Sequence, residues 1–249
     1  MDKPYYFFQN FKCTYHCFTN RVFVKWLGSR DATQPNERRD VLKTEFNSFP
    51  LSDTWRRVKN HCRTTDNKGF TDKNPSKEFK KKLLMSEHSP IRLLEFDWSW
   101  KDIPYWVSTE WSRHKFEKFI SSQRDDRLID DTPRAEKPQG ALVNFDGYAN
   151  MQNLIDAWRK RLCYKATPEA RGLAEDLKIQ MGKMFPDEAN VLVPNCIYRG
   201  GCPEFTSCGL YKRFLKFCEL KYPDLDLSDL QARYDAYNDM FDQQHGGRK

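Results

Sequence analysis

Ser112-Arg113-His114-Lys115, followed five residues later by Ser121-Ser122-Gln123-Arg124-Asp125-Asp126-Arg127, is the stretch around which the chain is organised. Arg113, His114, Lys115, Arg124 and Arg127 place five cationic or titratable groups close together, with hydroxyls and an amide among them. Guanidinium forks match phosphate oxygens two at a time, and serine hydroxyls serve the remaining lone pairs. Such a cluster suits a phosphorylated ligand. The alternative is a solvated basic face. The apolar and aromatic run Ile103-Pro104-Tyr105-Trp106-Val107 leads into the cluster and favours a partly buried start.

A chain of 249 residues is long enough to bury a full core. Its formal net charge of +7 and isoelectric point near 8.9 suit anionic partners such as nucleotides and pterin cofactors, or nucleic acid. The mean hydropathy of −0.85 is that of a soluble protein. No apolar run reaches the ~18 residues of a membrane span. The opening Met1-Asp2-Lys3-Pro4-Tyr5-Tyr6-Phe7-Phe8 lacks the apolar core and cleavage site of a signal peptide, so the cytoplasm (a host's, if the chain is viral) is the expected location. Eight cysteines in that setting point to reduced thiols or a metal rather than a disulfide framework.

The periodicity outlines an α+β fold. Residues 5–27 alternate aromatic and β-branched side chains and predict one or two strands. Within them Cys13, His16 and Cys17 have no second ligand pair nearby and read as residues of a strand face. Asn36 predicts a helix cap, with the helix running to about Phe46, and residues 53–63 predict another short helix. Ser76 caps a helix over Lys77–Met85, and His88-Ser89-Pro90 ends it. Leu94, Phe96, Trp98 and Trp100 alternate within a strand over Ile91–Trp100. Pro104 then starts a helix that delivers Arg113–Lys115 near its end. From Asp125 to Gly147 the polar, proline-containing sequence reads as an extended loop. Leu154, Ile155, Trp158 and Leu162 follow helical spacing behind Asn150. Thr167 and Pro168 open a second helix to about Met184, as cap and first-turn proline. A last helix spans Leu225–Phe241, its apolar stripe packing on its own domain or on another subunit.

Ser-Arg-His-Lys with a downstream Ser-Gln-Arg resembles the signature of the flavin-dependent thymidylate synthases, where an Arg-His-Arg triplet precedes Ser-x-Arg. Three further motifs follow the same order. A Ser89-Pro90 turn precedes a strand, although Arg92-Leu93 stands where the family has Glu-His. Arg134 lies four residues before Pro138 (138 − 134 = 4), with Lys137 in place of an apolar residue. Asn150 lies eleven residues before Arg161 (161 − 150 = 11), with Gln152 in place of the motif's internal arginine. The resemblance covers about residues 36–185. It implies a central antiparallel sheet flanked by helices, in a catalytic domain of residues 1–185. A mostly helical, cysteine-containing extension follows over residues 186–249.

The resemblance also implies an activity: transfer of a one-carbon unit from methylenetetrahydrofolate to C5 of dUMP, with FAD and NADPH. It assigns Arg113, His114 and Lys115 to the flavin, with His88 as a stand-in for the missing histidine and Asn150 beside the cofactor. Ser122, Gln123, Arg124 and Arg134 fall at the nucleotide phosphate. Arg161 falls on the pyrimidine ring, which it polarises as the catalytic residue. The family assembles each site from several subunits of a homotetramer. The replacements Arg92-Leu93, Lys115 and Gln152 motivate an alternative, methylation or hydroxymethylation of another pyrimidine nucleotide such as dCMP. A further alternative is a metal-containing nucleic-acid-binding protein without catalysis.

Beyond the family pattern lie Cys196, Cys202 and Cys208, spaced six apart among Gly200, Gly201, Pro203 and Gly209, with Cys163 two residues after Arg161. Four thiolates suit tetrahedral zinc or an iron–sulfur cluster. Buried free thiols beside glycine and proline turns are the alternative.

Overall fold

In a computed structural model, residues 43–48, 53–127 and 132–246 are described, together with the backbone of two short strands at 16–18 and 21–23. Those strands, β1 (His16–Phe18) and β2 (Arg21–Phe23), form an antiparallel pair. The rest of the strand region expected over residues 5–27, including Cys13, and the Asn36 cap lie outside the described residues. Strand β3 (Thr44–Ser48) stands where the helix expected to run to Phe46 would have ended. Its Thr44, Glu45 and Phe46 pair with Trp100, Ser99 and Trp98, so sheet partners override the local helical pattern.

Helix α1 (Thr54–Thr65) matches its periodicity and buries Trp55 and Val58. Helix α2 (Lys77–Met85) starts as its cap predicts: Ser76 Oγ accepts from the Phe79 N–H at 3.2 Å. The Ser89–Leu93 segment is a 3-10 turn, with Pro90 in its first turn. Strand β4 (Glu95–Pro104) therefore begins four residues later than the alternation suggested and runs four residues further.

Helix α3 (Tyr105–Trp111) follows Pro104 and stops before Arg113–Lys115, which lie in the bend between it and strand β5 (Glu117–Ile120). The expected loop ends at Gly140. Strand β6 (Leu142–Asn150) takes its place, with Val143, Phe145, Gly147 and Ala149 on the buried face. Helix α4 (Met151–Arg161) forms where the helical spacing behind Asn150 predicts one, and α5 (Pro168–Met184) has the predicted bounds. Thr167 precedes α5 without a side-chain cap, however, and its buried Oγ1 has no partner among the described residues. The C-terminal part consists of α6 (Pro186–Asn190), α7 (Asn195–Arg199), α8 (Leu210–Lys221) and α9 (Leu230–Gln244). Asp229 caps α9, which starts five residues beyond the start expected at Leu225.

The four longer strands form one antiparallel sheet in the order β3-β4-β6-β5. The fold class is thus α+β, a central antiparallel sheet flanked by helices and followed by a helical C-terminal region. One face of the sheet is a tryptophan layer. Trp98, Trp100, Trp111 and Trp158 are all fully buried. Trp98 meets Trp158 edge-on, and Trp100 and Trp158 each pack on Trp111. Across the β4–β6 ladder Trp98 faces Gly147. A Cβ on Gly147 would sit 2.3 Å from the Trp98 ring, so only glycine lets the indole lie flat on β6. This layer roots α3 and α4 against the sheet, and their C-terminal ends carry the residues of the site.

Candidate active site

Arg161 is the last residue of α4, and His114 lies three residues past the end of α3. The tryptophan layer brings these ends together. Arg161 Nε donates to His114 Nε2 at 2.7 Å. Its Nη1 donates to Glu110 Oε2 at 3.0 Å, its Nη2 donates to the Glu110 carbonyl, and the guanidinium lies 5.7 Å from the Trp111 ring centre. Three of the five guanidinium donors are therefore engaged by α3 and the turn after it.

His114 accepts from Arg161 through Nε2, which requires a neutral ring with its proton on Nδ1. Burial lowers its pKa to about 4, reinforced by the charges of Arg161, Lys118 and Lys160. Arg161 is itself pushed down by burial and by Arg113, with Glu110 opposing. Glu110 is the balancing charge that the sequence reading did not single out. Its position four residues before His114 was the available signal.

Two cavities flank His114, which lines both. One, of about 320 Å³, is lined by Arg113, Arg161 and the thiols of Cys163, Cys196, Cys202 and Cys208. The other, of about 500 Å³, is lined by Lys115, Lys118, Phe116, Tyr148, Asn150 and Asn153 among others. Arg113, His114 and Arg161 thus border the first cavity, and His114, Lys115 and Asn150 the second. Asn150 has a structural task as well, since its Oδ1 accepts from the Asn153 N–H at 3.0 Å and caps α4.

The other candidates line neither cavity. Ser122, Gln123 and Arg124 follow β5 on an exposed or half-exposed segment. There Arg124 makes a two-pronged pair with Asp126, both contacts at 2.9 Å, and the Arg134 N–H donates to Asp125 Oδ1 at 2.8 Å. His88 is exposed and opens the Ser-Pro turn.

Gln152, the replacement in the α4 motif, donates to Glu87 Oε2 at 2.7 Å. Glu87 also holds Arg159, whose guanidinium stacks 3.6 Å from the centre of the Tyr198 ring. This Glu87–Arg159–Tyr198 chain ties α4 to α7. The sequence reading missed it because its members are 39 or more residues apart.

Burial pushes the Cys163 thiol up from its ordinary value, and neighbouring Cys208 adds to the rise. Burial pushes the Cys196 thiol up to about 12, with smaller contributions from Cys163, Cys208 and Cys202. Among the described residues no three ligand-type side chains stand close enough together to surround a metal ion as they are placed.

No protein-family model matches the sequence, and no curated protein matches it. Solved structures do. A UMP/dUMP methylase, PolB, from Streptomyces cacaoi, bound with 5-Br dUMP, aligns with a TM-score of 0.51 at 13% identity, over 60% of this chain and 94% of that one. The two chains share a fold. Two crystal structures of thymidylate synthase X (ThyX) from Helicobacter pylori with FAD and dUMP align at 11% and 13% identity, both with TM-scores of 0.46. They cover 59% and 58% of this chain and 99% and 98% of those chains. No helix among the described residues is long and apolar enough to cross a membrane.

Proposed function

We propose that this chain is a flavin-dependent enzyme that transfers a one-carbon unit from methylenetetrahydrofolate to C5 of a pyrimidine deoxynucleoside monophosphate, dUMP or its relative dCMP, with NADPH as reductant. Residues 1–185 carry the catalysis in this reading and residues 186–249 form the extension. The observation that carries it is the Arg161–His114 contact. The two motif residues that the resemblance assigns to pyrimidine and flavin lie 47 positions apart in sequence, yet are hydrogen-bonded, and His114 lines both cavities. The shared fold with a UMP/dUMP methylase supports the same reading.

In this reading FAD occupies the second cavity, which Glu95 and Glu117 also line. Lys115 and Lys118 offer cations for a pyrophosphate, while Phe116 and Tyr148 offer flat apolar surface in the same cavity. Bound flavin would supply the redox chemistry and the relay of the one-carbon unit. The protein's part is to bind, orient and polarise. Arg161 has three donors fixed by His114 and Glu110, which leaves up to two for the oxygen of a pyrimidine, where negative charge develops as C5 becomes nucleophilic. Because the guanidinium is already held in place, it need not reorganise during the reaction. Neutral His114 contributes an Nδ1–H donor rather than a second cation. Arg124, now paired with Asp126, would exchange that carboxylate for the nucleotide phosphate, assisted by Ser122, Gln123 and Arg134. The active assembly would be a homotetramer.

A visible spectrum of the purified chain with added FAD tests the cofactor, and release of tritium from C5-labelled dUMP and dCMP tests the substrate. Flavin bands that shift on adding one nucleotide, with tritium release from that nucleotide alone, are the expected result. A protein that neither retains nor takes up flavin would sink the reading.

A further inference from the structure

We propose that Cys163, Cys196, Cys202 and Cys208 form a structural site for one thiophilic divalent cation of the zinc type, which clamps the C-terminal extension to the end of α4. The four residues come from separate segments. Cys163 lies two residues past α4, Cys196 in the first turn of α7, Cys202 after the turn at Gly200, and Cys208 just before α8. All four line the same cavity, and all are free thiols.

The local backbone aims them there. Gly200 ends α7 with φ of +68° and Gly209 opens α8 with φ of +82°, conformations that favour glycine. The Gly201 N–H donates to the Cys196 carbonyl at 2.9 Å, folding Cys202 back beside Cys196. Lys160, one turn before Cys163, reaches Glu204 at 3.9 Å and fastens the intervening loop to α4.

As placed, the thiols ring the cavity without meeting at one point. A tetrahedral ion with metal–sulfur bonds of about 2.3 Å needs sulfurs about 3.8 Å apart. A cysteine sulfur moves by roughly 3 Å between staggered rotamers, so the proposal requires the four side chains to rotate inward as the ion binds. Four thiolates around a divalent cation carry a net charge of −2, and Lys160 and Lys165 line the same cavity and offset it. The cation would therefore fix the end of α4 from which Arg161 projects.

This inference stands apart from the flavin reading, because its test uses neither flavin nor nucleotide. The full chain, purified under reducing conditions, is analysed for metal by plasma mass spectrometry, then stripped with chelator and titrated with zinc while reactive thiols are counted. One zinc per chain and protection of four thiols are expected. Cobalt in its place should give thiolate-to-metal charge transfer and the visible bands of a tetrahedral site. The double variant C202S/C208S, at partly exposed positions, should lower bound zinc at least about tenfold, while C62S on α1 should retain it. If the double variant does not fold, the thiol count on the native chain still decides. Absence of zinc protection, acid-labile sulfide with a brown colour, or a Cys163–Cys208 disulfide in the reduced preparation would each overturn the proposal.

Discussion

Two arginines, Arg161 and Arg233, show how much a single guanidinium fork can organise. Arg161 is held from three directions, so Arg161→Ala should cut turnover by about 10²-fold or more while flavin stays bound, measured as kcat beside the flavin spectrum. Glu110→Gln keeps a hydrogen-bond acceptor but loses the balancing charge, and should lower kcat by a smaller factor. Protonating His114 would destroy its acceptor and set two cations side by side. Its folded pKa of about 4 lies below the ordinary 6.5, so the unfolded chain binds the proton first. The stability from neutral His114 is complete above pH 6.5 and is lost as pH falls toward 4. After allowance for partial exposure the loss is roughly 1–2 kcal/mol. His114→Phe should flatten that part of a denaturant-measured pH profile, and an unchanged profile would refute the assignment. Arg233 is buried and donates to the carbonyls of Ile197 at 2.6 Å, Tyr198 at 2.8 Å and Leu227. Arg233→Met strands these acceptors and should cost about 3 kcal/mol in chemical denaturation.

Among the elements, the β4–β6 pair is the least tolerant of change. The Trp98 ring occupies the space where any side chain at position 147 would begin. Gly147→Ala must displace the indole or the strand. Since Trp98 also packs on Trp100, Phe116 and Trp158, the displacement would spread through the layer under the site. A loss of about 3 kcal/mol or more is expected, with a fall in near-ultraviolet circular dichroism. Wild-type stability in that variant would mean that the two strands are not paired in this register. The end of β4 carries a register shift between Trp100 and Ile103, where Asp102 adopts φ of +55° and its N–H donates to Asn144 Oδ1 at 3.2 Å. This bend turns the chain into α3 and so sets the direction from which Glu110 and His114 reach Arg161.

At the scale of the whole molecule, the core does not stop at the start of the extension. Leu192, Val193, Ile197, Phe214, Tyr237 and Phe241 are buried in the same cluster as the tryptophan layer. Phe96 of the central strand meets Phe185 edge-on, and Trp55 Nε1 donates to buried Glu188 at 2.7 Å. A chain ending at Phe185 should therefore lose its cooperative thermal transition. Lys178 marks the same seam. Its Nζ donates to the Ala189 carbonyl and to Asn238 Oδ1, both at 2.7 Å. Burial lowers its pKa to about 7, with Asp242 opposing. The unfolded lysine keeps its proton to a higher pH, so this residue makes stability rise from about pH 7 to 10.5. Lys178→Met should remove that rise from the curve of stability against pH.

Much of the fold was legible because its signals are local. Ser76, Asn150 and Pro168 mark the starts of α2, α4 and α5, since caps and first-turn prolines act within one turn of helix. The tryptophan alternation of β4 is equally local. Strand β6 was read as loop because Asn144, Asp146 and Gly147 have the composition of a turn, although every second residue is buried. Where the helix expected to run to Phe46 would end, Thr44–Ser48 form a strand, because pairing with β4 outweighs propensity over five residues. At the site, the sequence by itself determined the intervals and the residue types: an Arg-His-Lys bend, an arginine closing a helix, and four thiols near glycine turns. Only the tertiary structure decided that Arg161 rests on His114 and Glu110, that Glu87 ties α4 to α7, and that the thiols share a cavity with both. Such contacts join residues dozens of positions apart. Nothing in a local pattern encodes them, because they exist only after the aromatic core has fixed the angle at which the helices meet.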